Sequence, residues 1–189
     1  MTRIIAGTAG GRSLQTPRGA STRPTTDRVR EAVFSRIESL LDLDGCAVLD
    51  LYAGSGALGL EAVSRGAERL LAVERHRATA RLVERNAVDL GLQGVEVVTG
   101  SVVPVLAAGP AGRSYHLALL DPPYPVAETE LAEVLAALVP WLDPDGLVVV
   151  ERSARSPRPA WPPGLVHLDT RRYGETAVHL AEPVTPTST

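Results

Sequence analysis

The sequence predicts an α/β fold built on a mostly parallel, doubly wound sheet of seven strands that an antiparallel hairpin closes. Three observations carry that expectation. Apolar strand-like runs alternate with helical segments from Ala47 to Glu151, and strands regularly separated by helices pair in parallel. A glycine-rich turn, Gly54-Ser55-Gly56-Ala57-Leu58-Gly59, follows the first of these strands. The last two strand-like runs are joined only by Tyr173-Gly174-Glu175, and so short a connection makes an antiparallel pair.

Taken in order, Arg3–Ala6 and Arg12–Gln15 are β-like runs around Gly7-Thr8-Ala9-Gly10-Gly11, which predicts a small N-terminal hairpin. Pro17–Thr25 reads as irregular, and Thr25 or Thr26 can cap a helix whose apolar positions Val29, Val33, Ile37, Leu40 and Leu41 share a face. The alternation then runs Ala47–Tyr52 strand, Ala57–Arg65 helix, Arg69–Glu74 strand and His76–Leu90 helix, with Gly66 and Gly91 as stops. It continues as Val95–Thr99 strand, Ser101–Ala108 helix, Tyr115–Leu120 strand, Glu128–Leu142 helix and Leu147–Glu151 strand. Leu165–Arg172 and Thr176–Ala181 form the closing hairpin, after a proline-rich loop at Pro157–Gly164. The expected organisation is a hairpin extension over 1–22, a main domain over 23–182, and a frayed tail over 183–189.

A chain of 189 residues with 44% apolar content can bury one core. It has no run of about 18 apolar residues, and Met1–Gly7 lacks the apolar stretch of a signal peptide, so a cytoplasmic protein is expected without a membrane partner. Cys46 is the only cysteine, and His76, His116, His167 and His179 show no metal-ligand spacing, so neither an internal disulfide nor a metal is expected. The net charge of −3 hides an asymmetry: residues 1–36 hold seven arginines against Asp27 and Glu31, leaving the remainder strongly acidic. A short basic end on an acidic body is the pattern of a segment that contacts phosphates. All nineteen basic residues are arginine, so only their placement is informative.

The turn after the first parallel strand carries the first candidate site. Gly54, Gly56 and Gly59 satisfy the dinucleotide pattern, and Glu74, twenty residues after Gly54, ends the second strand where a carboxylate can bind ribose hydroxyls. This Rossmann-like fingerprint suits a nicotinamide or a methyl donor equally. Asp50, just ahead of the loop, is poorly placed beside a pyrophosphate and suited to the ammonium and sulfonium of S-adenosylmethionine; alternatively it caps the following turn. The donor-site candidates are Asp50, Tyr52, Ala53, Gly54, Ser55, Gly56, Gly59, Glu74, Arg75 and Ser101, with Arg75 reading as solvated. Methyltransferases often carry an acidic residue after the third strand to contact the adenine; Gly100-Ser101 stands there, and Ser101 can accept a weaker hydrogen bond.

The second candidate site is Asp121-Pro122-Pro123-Tyr124, directly after the apolar strand Tyr115–Leu120. Successive prolines end a strand with rigidly held carbonyls. The Asp121 carboxylate and Pro122 carbonyl can accept both N–H bonds of an exocyclic amine, freeing its lone pair for in-line attack, while Tyr124 stacks on the base. Such a transfer needs neither a metal nor a covalent nucleophile, and Asp121 can afterwards accept the proton.

Beyond these motifs, Arg3–Gly7 with Gly11-Arg12, the string Arg23-Pro24-Thr25-Thr26-Asp27-Arg28-Val29-Arg30-Glu31, Asp50–Gly59 and Asp121–Tyr124 make the chain resemble the RsmD family of 16S rRNA guanine-N2 methyltransferases. The resemblance implies a class I methyltransferase fold, S-adenosylmethionine as donor with S-adenosylhomocysteine as product, and methyl transfer to N2 of a guanine. It implies as partner 16S rRNA or an assembling small (30S) subunit. It gives the 1–22 extension a role in RNA recognition, and Arg3, Arg12, Arg23, Arg28 and Arg30 become the candidate RNA contacts. Three other readings compete. A nicotinamide oxidoreductase leaves Asp121–Tyr124 without a role, and a non-catalytic RNA-binding factor leaves the donor loop unexplained. A DNA amino- or cytosine-directed methyltransferase shares the tetrapeptide, although carbon-5 attack needs a cysteine and Cys46 lies at the buried start of a strand. Removal of residues 1–17 is expected to weaken RNA binding and leave the donor site intact.

Overall fold

The structure is a computed structural model that describes residues 2–17, 27–123 and 126–184. A two-stranded antiparallel ribbon, β1 (Thr2–Arg3) with β2 (Ser13–Leu14), precedes helix α1 (Asp27–Glu38). The main sheet then forms from β3 (Ala47–Leu51), β4 (Arg69–Glu74), β5 (Val95–Thr99), β6 (Tyr115–Leu120), β7 (Leu142–Ser153), β8 (Leu165–Tyr173) and β9 (Thr176–Pro183). Helices α2 (Ala57–Ser64), α3 (Arg77–Leu90), α4 (Val102–Ala107) and α5 (Glu128–Leu138) connect them. The strand order is β5-β4-β3-β6-β7-β9-β8, parallel from β5 through β7 and antiparallel at β9 and β8. Among the described residues no helix is long and apolar enough to cross a membrane.

Strand periodicity sorts the core into two faces. Val48, Ala72, Leu117, Leu119, Val149, Val178 and Leu180 face the layer of α1, α2 and α3, meeting Val33, Phe34, Ile37, Leu60 and Val83. Leu49, Leu51, Val73, Ala118, Leu120, Val148 and Val150 face α4 and α5, meeting Val102, Leu106, Leu131, Val134, Leu135 and Leu138. The chain leaves β3 for β4 on one side and returns to β6 on the other, so the loops after β3 and β6 part at a topological switch point, where α/β sheets bind ligands.

Several boundaries differ from the sequence expectation. Helix α1 ends at Glu38, so Leu40 falls in a turn and is 44% exposed, while Phe34 is the fully buried anchor of that helix. Pro140 cannot continue an α-helix, and Val139–Trp141 tighten into a 3₁₀ turn. Strand β7 therefore begins at Leu142 rather than Leu147, with an irregularity opposite Tyr115 and Leu117. The N-terminal ribbon is shorter than the alternation suggested, because Ile4–Arg12 close it through turn hydrogen bonds such as Gly11 N–H to the Ile4 carbonyl at 2.8 Å.

The N-terminal segment is seated on the main domain rather than appended to it. Glu61 of α2 is fully buried and accepts the backbone N–H groups of Ile5 and Ala6 at 2.7 and 3.0 Å. It also pairs with Arg65 at 2.7 Å and lies 3.8 Å from Arg30. Three residues on, the Ser64 hydroxyl accepts Ala9 N–H at 2.9 Å and donates to the Ala6 carbonyl at 2.6 Å. Gly7 passes so close to α2 that a Cβ there would stand 1.7 Å from the Ser64 carbonyl oxygen.

Candidate active site

The carboxyl ends of β3, β4, β5 and β6 open onto one cavity of about 1050 Å³. One end is lined by Gly54, Ser55, Glu74, Arg75, His76 and Ser101, and the other by Tyr52, Asp121, Pro122 and Pro123. Two motifs seventy residues apart therefore share a single space, because β3 and β6 are adjacent and in register from Val48↔Leu117 to Leu51↔Leu120. Helix α5 adds Glu130 and Glu133 to the wall, and the N-terminal segment adds Thr2, Thr16 and Pro17.

Glu74 organises the glycine-loop end of the cavity. Its Oε2 accepts Gly54 N–H at 3.1 Å and its Oε1 accepts His76 N–H at 2.7 Å, so one carboxylate ties the turn after β3 to the turn after β4. The remaining acceptor positions of the two oxygens are available to ligand hydroxyls. A side chain on Gly54 would meet only the Tyr52 carbonyl oxygen, at 3.9 Å, and this open cradle fits a ligand that lies against the loop backbone. Tyr52 holds a left-handed backbone (φ 68°) that turns the chain sharply at the end of β3. Its buried hydroxyl has no hydrogen-bond partner among the described residues, and burial, reinforced by Glu130, pushes its pKa up to about 12, so it remains a neutral donor.

The structure corrects the expectation for Asp50. Strand periodicity turns its side chain to the same face as Val48, under α2 and away from the cavity, and it is 1% exposed. There Oδ2 accepts Gly59 N–H at 2.9 Å, which is the turn-capping role. Burial raises its pKa to about 7, against the Gly59 hydrogen bond and with help from Asp121 and Glu74. Gly56 and Gly59 likewise serve packing: added side chains would meet Val83 and Leu60 in one case and Asp50 and Leu70 in the other. Ala53 is buried at 8% exposure, its N–H donated to the Val73 carbonyl.

Arg30 is also corrected. Its guanidinium is turned inward, 3% exposed, donating to the Arg3 carbonyl and pairing with Asp27 at 3.2 Å, where burial lowers its basicity. The residue braces the N-terminal segment and also lines the cavity, a placement unlike that of an exposed phosphate contact. Arg12 spends its guanidinium on the last turn of α3, donating to the Leu90 carbonyl at 2.7 Å and to that of Asp89. Arg3 pairs with Asp27 at 2.9 Å and stays 58% exposed, and Arg28 is exposed. Arg23, Thr25, Thr26 and Tyr124 lie outside the described residues.

Sequence reasoning missed Thr16, Pro17, His76, Val102, Val103, Glu130 and Glu133, all on the cavity wall. The signal for Val102 and Val103 was present, since a helix starting directly after Ser101 must offer its first turn to the same sheet edge. Among the described residues no group of three or more His, Cys, Asp or Glu side chains could hold a metal.

The profile of the family described as Conserved hypothetical protein 95 matches residues 2–182. YlbH of Bacillus subtilis (strain 168) is 36% identical over 178 residues, covering 93% of this chain and 96% of its own length. "Ribosomal RNA small subunit methyltransferase D" of Escherichia coli (strain K12) is 35% identical over 160 residues, covering 85% of this chain and 79% of that protein. Among solved structures, yhhF from Escherichia coli superposes with a TM-score of 0.82 at 30% identity, covering 96% of this chain and 97% of that one.

Proposed function

Because the chain belongs to the RsmD family of methyltransferases, the family whose profile spans residues 2–182, we propose that it transfers a methyl group from S-adenosylmethionine to N2 of a guanine in 16S rRNA. The observation that carries this reading is the single cavity that joins the Glu74-braced glycine loop to Asp121-Pro122-Pro123. When bound, the donor supplies a methyl already activated by positive sulfur. The Glu74 carboxylate is suited to hold ribose hydroxyls, Ser101 and the first turn of α4 to face an adenine, and Gly54 and Ser55 to lie against the amino-acid end.

At the far end, Asp121 accepts one N–H of the target amine and the Pro122 carbonyl accepts the other. These bonds favour a tetrahedral nitrogen whose lone pair points at the methyl carbon. After transfer the amine carries a surplus proton, which Asp121 takes before release to solvent. Tyr124 is proposed as the stacking face and Arg3, Arg23 and Arg28 as phosphate contacts.

Glu130 and Glu133 on the cavity wall support guanine over the other amine-bearing bases. Guanine presents an N1–H donor beside its amine, whereas adenine and cytosine present a ring acceptor that a carboxylate would repel. A guanine amine engaged in pairing must be unpaired or extruded to enter. The test is transfer of labelled methyl from S-adenosylmethionine to small ribosomal subunits lacking their own modification, with naked 16S rRNA and DNA in parallel, followed by nucleoside analysis. N2-methylguanosine in the subunit or its RNA is the expected product. Methylated adenine or cytosine in DNA would overturn the substrate.

A further inference from the structure

Asn86, on α3 behind the glycine loop, is 2% exposed and makes three hydrogen bonds through its amide. Its Oδ1 accepts Gln15 N–H at 2.9 Å, and its Nδ2 donates to the Gln15 carbonyl and to the Ser55 carbonyl, both at 3.0 Å. One side chain thus clasps the N-terminal segment with one hand and the donor loop with the other. Both grips lead to the cavity: Thr16 and Pro17 directly follow Gln15, Gly54 precedes Ser55, and all of these but Gln15 lie on its wall.

The contact is part of a longer seam. Asn86, Asp89 and Leu90 lie three and four residues apart, on one face of α3. Gln15 reaches Asp89 through Nε2 at 3.0 Å, and Arg12 caps the Leu90 and Asp89 carbonyls. The segment from Arg12 to Gln15 therefore follows α3 as a unit and ends in the cavity wall.

From this geometry we infer that Asn86 is a positioning residue that couples donor binding to RNA binding. A donor resting on Gly54 and Ser55 fixes the Ser55 carbonyl, which fixes the Asn86 amide and with it Gln15, Thr16 and Pro17. A nucleotide of the RNA that enters the cavity past Thr2, Thr16 and Pro17 rests on the same wall from the other side. Coupling of this kind is reciprocal: each ligand tightens the other by one common factor. The inference rests on the reading that RNA is the substrate, but its first half does not.

Two measurements test it on the full chain with S-adenosylhomocysteine, which binds without reacting. Hydrogen exchange at the Gln15 and Thr16 amides is expected to slow about tenfold when S-adenosylhomocysteine saturates the wild-type protein. In Asn86→Ala, and in the equally sized Asn86→Asp, which keeps one acceptor and loses both donated bonds, that slowing is expected to disappear while the ligand still binds. Next, the dissociation constant of unmodified small subunits is measured with and without S-adenosylhomocysteine. The wild type is expected to gain about fivefold and the variants nothing. Unchanged exchange at Gln15 in the wild type, or variants that keep the full slowing and the fivefold gain, overturns the coupling and leaves the proposed function standing. Wild-type exchange that slows, with no subunit binding under any condition, supports the Asn86 link to the donor and overturns the substrate reading instead.

Discussion

The carboxylate of Asp50 and the backbone of Gly59 are locked together beneath the donor loop: Oδ2 accepts Gly59 N–H at 2.9 Å, and the same oxygen lies 2.8 Å from where a Cβ on residue 59 would be. The methyls of Leu70 stand equally close on the other side. Neither neighbour can yield, since Asp50 is held in β3 at 1% exposure and Leu70 is 1% exposed. Gly59→Ala is therefore expected to destabilise the fold by about 1–3 kcal/mol, the usual cost of overpacking. Urea unfolding of the purified variant would measure it, and an unchanged midpoint would show that β3 and α2 can separate freely.

The same pair gives the protein a pH dependence. Burial raises Asp50 from its ordinary 3.8 to about 7 in the folded chain. Between those values the folded state holds a proton that the unfolded state has released, so stability falls as pH rises from about 4 to about 7 and levels off above. Asp50→Asn keeps an acceptor for Gly59 N–H and removes the ionisation. Its stability relative to the parent is expected to improve across that window, by up to about 4 kcal/mol at about 1.4 kcal/mol for each tenfold change in proton affinity. Unfolding of both proteins at pH 5 and pH 8 decides it; a gap that does not change with pH would mean that Asp50 titrates normally.

How far the sequence disclosed this arrangement depends on the range of the physics involved. Strand and helix periods are local, and they located β4, β5 and β6 to the residue as well as the glycine loop and Asp121-Pro122-Pro123 at the sheet edge. The direction of a single side chain at a strand end is less local. Asp50 was legible as a carboxylate beside the loop, yet only its phase with Val48 and Leu49 turns it toward α2 instead of the cavity. Arg30 shows the same limit: a cation on an apolar-patterned helix reads as solvated until Glu61, thirty-one residues on, is found buried beside it. Contacts between the N-terminal segment and α2 or α3 span more than fifty residues, and no period announces them.

For that reason the expectation that residues 1–17 can be removed without cost to the donor site is revised. Glu61→Ala would leave Arg30 and Arg65 without their buried partner and two backbone N–H groups without an acceptor. Breaking such a pair from one side costs about 3–5 kcal/mol. Deletion of residues 1–17 would leave the Glu61 charge facing fewer donors and strip Thr2, Thr16 and Pro17 from the cavity wall. Both changes are expected to lower thermal stability, and the deletion to weaken S-adenosylmethionine binding at least tenfold by calorimetry. Full donor affinity in a folded deletion variant would restore the view of the segment as a separable appendage.

Asp121 and Glu74 face the same cavity from the ends of β6 and β4, and their proposed roles separate cleanly in kinetics. Glu74 already spends one acceptor position of each oxygen on Gly54 and His76 N–H groups, so Glu74→Gln both replaces an acceptor by a donor and loosens two loops. It is expected to raise the dissociation constant of S-adenosylmethionine at least tenfold. Asp121→Asn preserves the size of the side chain but removes the charge and the proton acceptor, an interaction realised only when the amine is being methylated. Its effect belongs to the chemical step, and loss of one such group costs about 10²–10³-fold in kcat with donor binding near normal. Calorimetry with S-adenosylmethionine and single-turnover transfer on the same two variants distinguish the roles. If Asp121→Asn instead loses donor affinity while retaining its rate at saturation, then Asp121 belongs to the donor end of the cavity, and the target amine must be oriented by other groups on the wall.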